Sequence, residues 1–128
     1  MEKTTRTDQR GFTLVELLAV IVILGVIAAI AVPAIGNVIS KSKDDARDQS
    51  ILLVRDAAET YMLSNEAPAD FTVGDLVTGG FLRSVPTDPA TGTTMETWKI
   101  TTNGKQVTAV GSYAIDGSTV TPASGTGM

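Results

Sequence analysis

The sequence predicts an α+β fold in which one long hydrophobic N-terminal α-helix packs its C-terminal half on a small antiparallel β-sheet head. Three observations lead there: an unbroken apolar run at 17–36, an amphipathic stretch directly after it, and a last third made of strand-forming segments punctuated by Asn103-Gly104 and Asp116-Gly117. The 128 residues divide into a polar leading segment (1–11), a helix long and apolar enough to cross a membrane (12–39), a globular head (40–122) and a flexible tail (123–128). A head this small buries a modest fraction of its surface, which favours an assembly component over a self-sufficient enzyme.

The leader carries Lys3, Arg6 and Arg10 against Glu2 and Asp8, and its character changes abruptly at Phe12. From 17 to 36 no residue is charged or polar. At 1.5 Å per residue, about 20 residues cover the roughly 30 Å hydrocarbon core of a bilayer. A helix is the consistent form, because in lipid it satisfies every backbone donor and acceptor within the segment. Basic residues precede the run, so the positive-inside rule leaves 1–10 in the cytoplasm and the remainder outside.

Three ordinary explanations compete. In a cleaved secretory signal, Ala29-Ile30-Ala31 would serve as the cleavage site, but the apolar core is too long for one and the sequence stays apolar beyond Pro33. A buried helix of a soluble protein would show a polar face, and the run has none. A plain signal anchor fits both length and orientation.

Glu16 is what a plain anchor does not explain. It lies one turn inside the apolar segment, where an ionised carboxylate costs about 2.5–3.5 kcal/mol on insertion scales. No Lys or Arg occurs between Phe12 and Lys41 to offset it. Either Glu16 snorkels to the headgroups or is protonated, or its partner is a cation from elsewhere. Cutting the chain before Phe12 would create such a cation, an α-amino group in the same membrane layer that a neighbouring copy could present. Physics alone leaves both readings open. Further along, Pro33 removes a donor and crowds the preceding turn, which predicts a kink. Gly25 with Ala29, and Ala28 with Ala31, supply small surfaces for close helix contact.

Residues 40–64 read as the outward continuation of the helix, with Ile51, Val54, Ala58, Tyr61 and Met62 on one apolar face. Lys41, Lys43, Asp44, Asp45, Arg47 and Asp48 read as water-exposed turns. Asn65-Glu66-Ala67-Pro68 ends the helix. A short helix follows from Val73 to about Thr78, with Thr72 as its cap, Asp75 placed for the reciprocal bond and Gly79-Gly80 as its stop. The segment from Phe81 to Gly92, with Pro86, Asp88 and Pro89, is an ordered loop. Strands are expected at 97–102 and 105–111 around Asn103-Gly104, then at 112–115 and 118–121 around Asp116-Gly117. Three or four strands laid on the helix would bury Trp98, Ile100, Val107, Val110 and Tyr113.

Composition excludes several chemistries. With 14 acidic and 10 basic side chains the net charge is −4, the wrong sign for direct nucleic-acid binding. The chain has no His and no Cys, which removes disulfides, thiolate zinc sites and the usual Ser-His or Cys-His activation. No phosphate-cradling GxxxxGK[ST] occurs, so any motor must be another protein. Asp88 and Asp116, in loops beside glycine, are weak calcium candidates; each is more simply a turn residue bonding its own backbone. No cofactor is expected.

The run Arg10-Gly11-Phe12-Thr13-Leu14-Val15-Glu16-Leu17-Leu18 resembles the type III signal of prepilins and pseudopilins, the type IV pilin superfamily. The resemblance implies cleavage after Gly11 by a prepilin peptidase, N-methylation of the new terminus at Phe12, and neutralisation of an adjacent subunit's amine by Glu16 during assembly. Methylation keeps the amine cationic, so that pairing survives it. Pro33 and Gly36 correspond to positions where the pilin helix bends or melts inside a filament, and the expected head is the pilin α/β-roll.

The segment from Phe81 to Gly92 resembles the link between helix and sheet in pseudopilins, particularly Gram-positive competence subunits. Competence members often carry a cysteine pair, which this chain lacks. The implied role is a major or abundant structural subunit, not an enzyme, of a pilus-like filament for DNA uptake in competence. Type II secretion and adhesion or motility are the alternatives within the family. Implied partners are the prepilin peptidase, other copies of the chain, minor pilins, a membrane assembly platform, a separate ATPase, and membrane lipid before assembly at the cell surface. A reading from another class is a single-pass anchored binding module whose helix is only a tether. A membrane-anchored hydrolase ranks third, since the catalytic residue types are missing.

Overall fold

The computed structural model describes residues 9–64 and 70–123, with side chains from residue 13 onward. Most of the leader, the helix stop at 65–68 and the tail from 124 lie outside the described residues. The chain divides into two units, 1–39 and 40–128.

The first unit is the beginning of helix α1 (Gln9–Ser64), which runs through Pro33 without interruption of the helix. Its side chains are almost all exposed: Leu18, Ile27, Ile30 and Val38 each leave more than half their surface uncovered. Apolar side chains this exposed among the described residues suit surroundings of lipid or of other protein.

The second unit combines the remainder of α1 with β1 (Asp70–Thr72), α2 (Val73–Thr78), β2 (Lys99–Thr102), β3 (Val107–Val110), β4 (Tyr113–Asp116) and β5 (Thr119–Pro122). The strands form one antiparallel meander in the order β1-β2-β3-β4-β5. Ile51, Val54 and Ala58, at three- and four-residue steps on α1, are fully buried against Phe71, Val73, Leu76, Met95, Ile100, Val107, Val110 and Ile115. Tyr61 extends this face, with its ring 5.1 Å from Phe71 and 5.2 Å from Phe81. The α+β expectation of a helix half packed on a small sheet is met.

Helix α2 forms as its sequence predicts. The Asp75 backbone N–H donates to the Thr72 hydroxyl, and the Thr72 backbone N–H donates to the Asp75 carboxylate at 2.8 Å. Val73 and Gly74 N–H donate to the Trp98 and Glu96 carbonyls, carrying the β1–β2 pairing into the first turn of α2.

Several expectations need correction. The sheet has five strands, because three-residue β1 is too short to show alternation in sequence. Asn103-Gly104 belongs to a four-residue loop, 103–106, since the register shifts between Thr101 and Thr102 and pairs Thr102 with Val107. Gly111-Ser112, read as strand, is the tight turn between β3 and β4, with Val110 opposite Tyr113. Ala123, assigned to the tail, still donates its N–H to the Ser112 carbonyl. Trp98 and Tyr113 are half-buried, stacked with ring centroids 5.7 Å apart. Their rings are too large for this thin layer to cover on both sides.

Gly111 is required at its turn twice over. Its φ is +59°, and a Cβ there would lie 2.7 Å from Trp98 Cε3. Gly117 has a matching φ of +60° but open space around it. Gly111→Ala is therefore expected to destabilise the head by about 2–4 kcal/mol, and Gly117→Ala by about 1–2 kcal/mol. Denaturant midpoints of the two variants, compared with the parent, check this ordering.

Candidate processing and assembly site

Gly11 and Phe12 lie in the first turns of α1, and Glu16 follows Phe12 by four residues on the same helix. That spacing is about 6 Å along the axis, one turn. Glu16 is exposed, and among the described residues no cation pairs with it. Around it Leu14, Val15, Leu17 and Leu18 are likewise exposed. Among the described residues α1 is the one helix long and apolar enough to cross a membrane, and none of its most apolar stretch is buried. The arrangement is an exposed carboxylate in an apolar surface, one turn past Phe12 and with no cation paired to it among the described residues.

Pro33 and Gly36 are exposed on the same helix, and a Cβ added at Gly36 or Gly25 would meet no neighbour within 4 Å. Among the described residues, packing therefore gives no reason for either glycine.

The head carries a polar centre that was expected at the surface. Asp88 is buried, 2% exposed, in the loop after α2. Arg47, read from sequence as part of a solvated charged stretch, donates from Nε to Asp88 Oδ1 at 2.8 Å with a side chain only 14% exposed. The correction has a physical cause: a carboxylate buried this deeply needs a cation, and Arg47 is the one α1 brings to it. Ala90 N–H and the Thr91 hydroxyl each donate to Asp88 at 2.9 Å. Burial pushes the Asp88 carboxyl up, but these bonds and the Arg47 charge outweigh it and hold the group below the usual carboxylate range. The bond to Asp88 in turn raises the Arg47 guanidinium, with burial opposing.

The guanidinium also lies 5.4 Å from the centre of the Tyr113 ring, which stacks on Trp98. One Arg thus ties α1 to the loop and to β4. The loop is fastened independently by Met95 N–H to Pro86 carbonyl, by Asp88 N–H to Thr93 carbonyl and by the bridge between Thr87 and Thr94. Arg55 clasps the β4–β5 turn by donating to the Gly117 carbonyl.

As calcium candidates, Asp88 has its oxygens engaged by Arg47, Ala90 and Thr91, while Asp116 sits exposed at the end of β4 opposite Thr119. Among the described residues no group of three or more acidic side chains is placed to hold a metal. Sequence reasoning missed Arg47 and Met95. The Arg47–Asp88 pair spans 41 residues, so no local spacing announces it.

Comparisons with known proteins agree with these features. Residues 6–32 match the prokaryotic N-terminal methylation motif. The chain is 38% identical over 66 residues to a type IV major fimbrial protein of Dichelobacter nodosus, covering 52% of this chain and 42% of that protein. Fimbrial protein Q of Moraxella bovis is 34% identical over 84 residues, covering 59% of this chain and 54% of its own length. The chain thus spans about half the length of these pilins. It is 35% identical over 99 residues to the type II secretion system core protein G of Klebsiella pneumoniae, covering 63% of this chain and 69% of that protein. No solved structure matches the chain. With a prepilin motif, an exposed apolar helix and a helix-on-sheet head together, the chain belongs to the type IV pilin and pseudopilin superfamily, a family of structural subunits rather than enzymes.

Proposed function

We propose that the chain is a major or abundant pseudopilin, cut between Gly11 and Phe12, N-methylated at Phe12 and polymerised through its apolar helix into a short extracytoplasmic filament. The observation that carries this reading is Glu16, a lone carboxylate on an exposed apolar helix one turn past the cleavage point. In the filament it meets the terminal amine of a neighbouring copy, so both charges enter the apolar core as a pair. Before assembly the helix spans the cell membrane once with the leader in the cytoplasm, and afterwards the filament lies at the cell surface. Gly25, Gly36 and the alanines between them let neighbouring helices approach, and Pro33 with Gly36 lets the helix bend as it packs. Prepilin peptidase, an assembly platform, a separate ATPase and minor pilins are the partners this role requires.

Protein export is the use best supported, because the similarity to core protein G of type II secretion extends over 69% of that relative. Glu16 and the loop tied to Arg47 serve a shaft, and nothing in the net charge of −4 favours direct contact with DNA. DNA uptake in competence is the second reading, favoured by the resemblance of the segment from Phe81 to Gly92 to competence subunits. Deleting the gene and measuring both secreted enzyme activity and transformation frequency separates the two. Loss of secretion with normal transformation is expected; the reverse pattern transfers the role to DNA uptake.

A further inference from the structure

Asn103 and Gly104 open the exposed loop between β2 and β3, where the Asn103 side chain bonds the backbone ahead of it as in an Asx turn. Asn103 Oδ1 accepts two backbone N–H groups, from Lys105 at 3.0 Å and from Gln106 at 2.9 Å. Two donors on one side-chain atom identify that atom as the amide oxygen, leaving Nδ2 as the potential leaving group. Among the described residues the Gly104 N–H makes no hydrogen bond, and both residues are exposed. A Cβ at Gly104 would meet nothing within 4 Å beyond the adjoining residues, so no distant part of the head crowds this position.

From these contacts we infer that the loop is a built-in modification site at which Asn103 deamidates spontaneously in the native fold. The Gly104 nitrogen gives up its proton to solvent base and attacks Asn103 Cγ, forming an N–Cγ bond. Negative charge then develops on Oδ1, where the Lys105 and Gln106 N–H groups already point. Preformed donors aimed at a developing oxyanion stabilise the charged intermediate more than the neutral amide that precedes it. The intermediate collapses with cleavage of Cγ–Nδ2, and ammonia leaves after protonation by solvent. Water then adds across either carbonyl–nitrogen bond of the resulting succinimide, giving aspartate or isoaspartate. The net change is asparagine plus water to acid plus ammonia, with no redox step.

Asn37, the other described asparagine, lies inside α1, where the following nitrogen is held in the helix. It serves as the internal comparator. An isoaspartate at 103 lengthens the backbone of a loop whose ends are fixed by Thr102 opposite Val107. An aspartate keeps the loop but adds one negative charge.

The test incubates the full chain, native in detergent micelles and denatured in guanidinium chloride, at the same mildly alkaline pH in water labelled with heavy oxygen. Peptide mapping follows label incorporation at Asn103 and Asn37, and isoaspartate is read with a methyltransferase. The expected result is conversion at Asn103 in the native chain at a rate equal to or above that in the denatured chain, with Asn37 unchanged in the native chain. Native conversion slower than denatured overturns the inference, because the two amide donors would then hold the side chain back instead of helping it react. No conversion at Asn103 in either state overturns it equally.

Discussion

Glu16→Val, produced in cells that carry the assembly machinery, is expected to reach the membrane normally and to form filaments at a level reduced at least about a hundredfold. The size follows from what the substitution leaves behind. Insertion depends on the apolar run, and replacing a carboxylate with Val makes that run more apolar. On the proposed reading, assembly moves a terminal amine into a helix bundle, and without Glu16 that amine would have no partner. Breaking a buried pair by removing one member costs about 3–5 kcal/mol, or at least two orders of magnitude in association. Glu16→Asp keeps the charge on a shorter arm and is expected to retain partial assembly. Membrane fractionation and sheared-filament yield, measured together, check both halves. Wild-type filament yield from Glu16→Val would show that the carboxylate merely reaches to the headgroups.

The second large effect lies in the head. Asp88→Ala removes a buried carboxylate and strands Arg47 beneath the loop, so a loss of about 3–5 kcal/mol is expected. Asp88→Asn is expected to cost less, because its side-chain oxygen still accepts bonds from Arg47 and Ala90. The two differ in acid as well. The Asp88 carboxyl titrates lower in the folded head than in the unfolded chain, where its value is about 3.9. Its stabilisation is therefore complete above the unfolded value and is lost as pH falls through the folded one. The parent should lose stability more steeply than Asp88→Asn on acidification below about pH 4. Guanidinium midpoints across the acid range, with parent and variant measured side by side, test the magnitude and the slope. Parallel curves would remove the charge pair from the account.

What could be read from the sequence and what could not separate along chain distance. The Thr72–Asp75 capping box closes within three residues, and it formed as predicted. The apolar face of Ile51, Val54 and Ala58 shows itself by spacing on one helix. By contrast, Arg47 sits among Asp44, Asp45 and Asp48, a pattern indistinguishable from ordinary solvated surface until the fold delivers Asp88 from 41 residues away. β1 escaped notice because its pairing partner, β2, decides that it is a strand. The Gly111-Ser112 turn was hidden because Val107, Val110 and Tyr113 suggested continuing strand, and only the approach of Trp98 shows why glycine is needed there. Glu16 stands out in the sequence for the opposite reason. A charge in an apolar run is conspicuous without any tertiary information, although its proposed partner lies on another copy.

The mature amino terminus offers the most direct test of the assembly account. Intact-mass and peptide analysis of the chain recovered from cells is predicted to give a polypeptide beginning at Phe12 with a methyl group on its α-nitrogen. Recovery of a chain that still carries residues 1–11 would contradict the account, since no amine would then exist in the layer of Glu16, and a tethered head would be the remaining description.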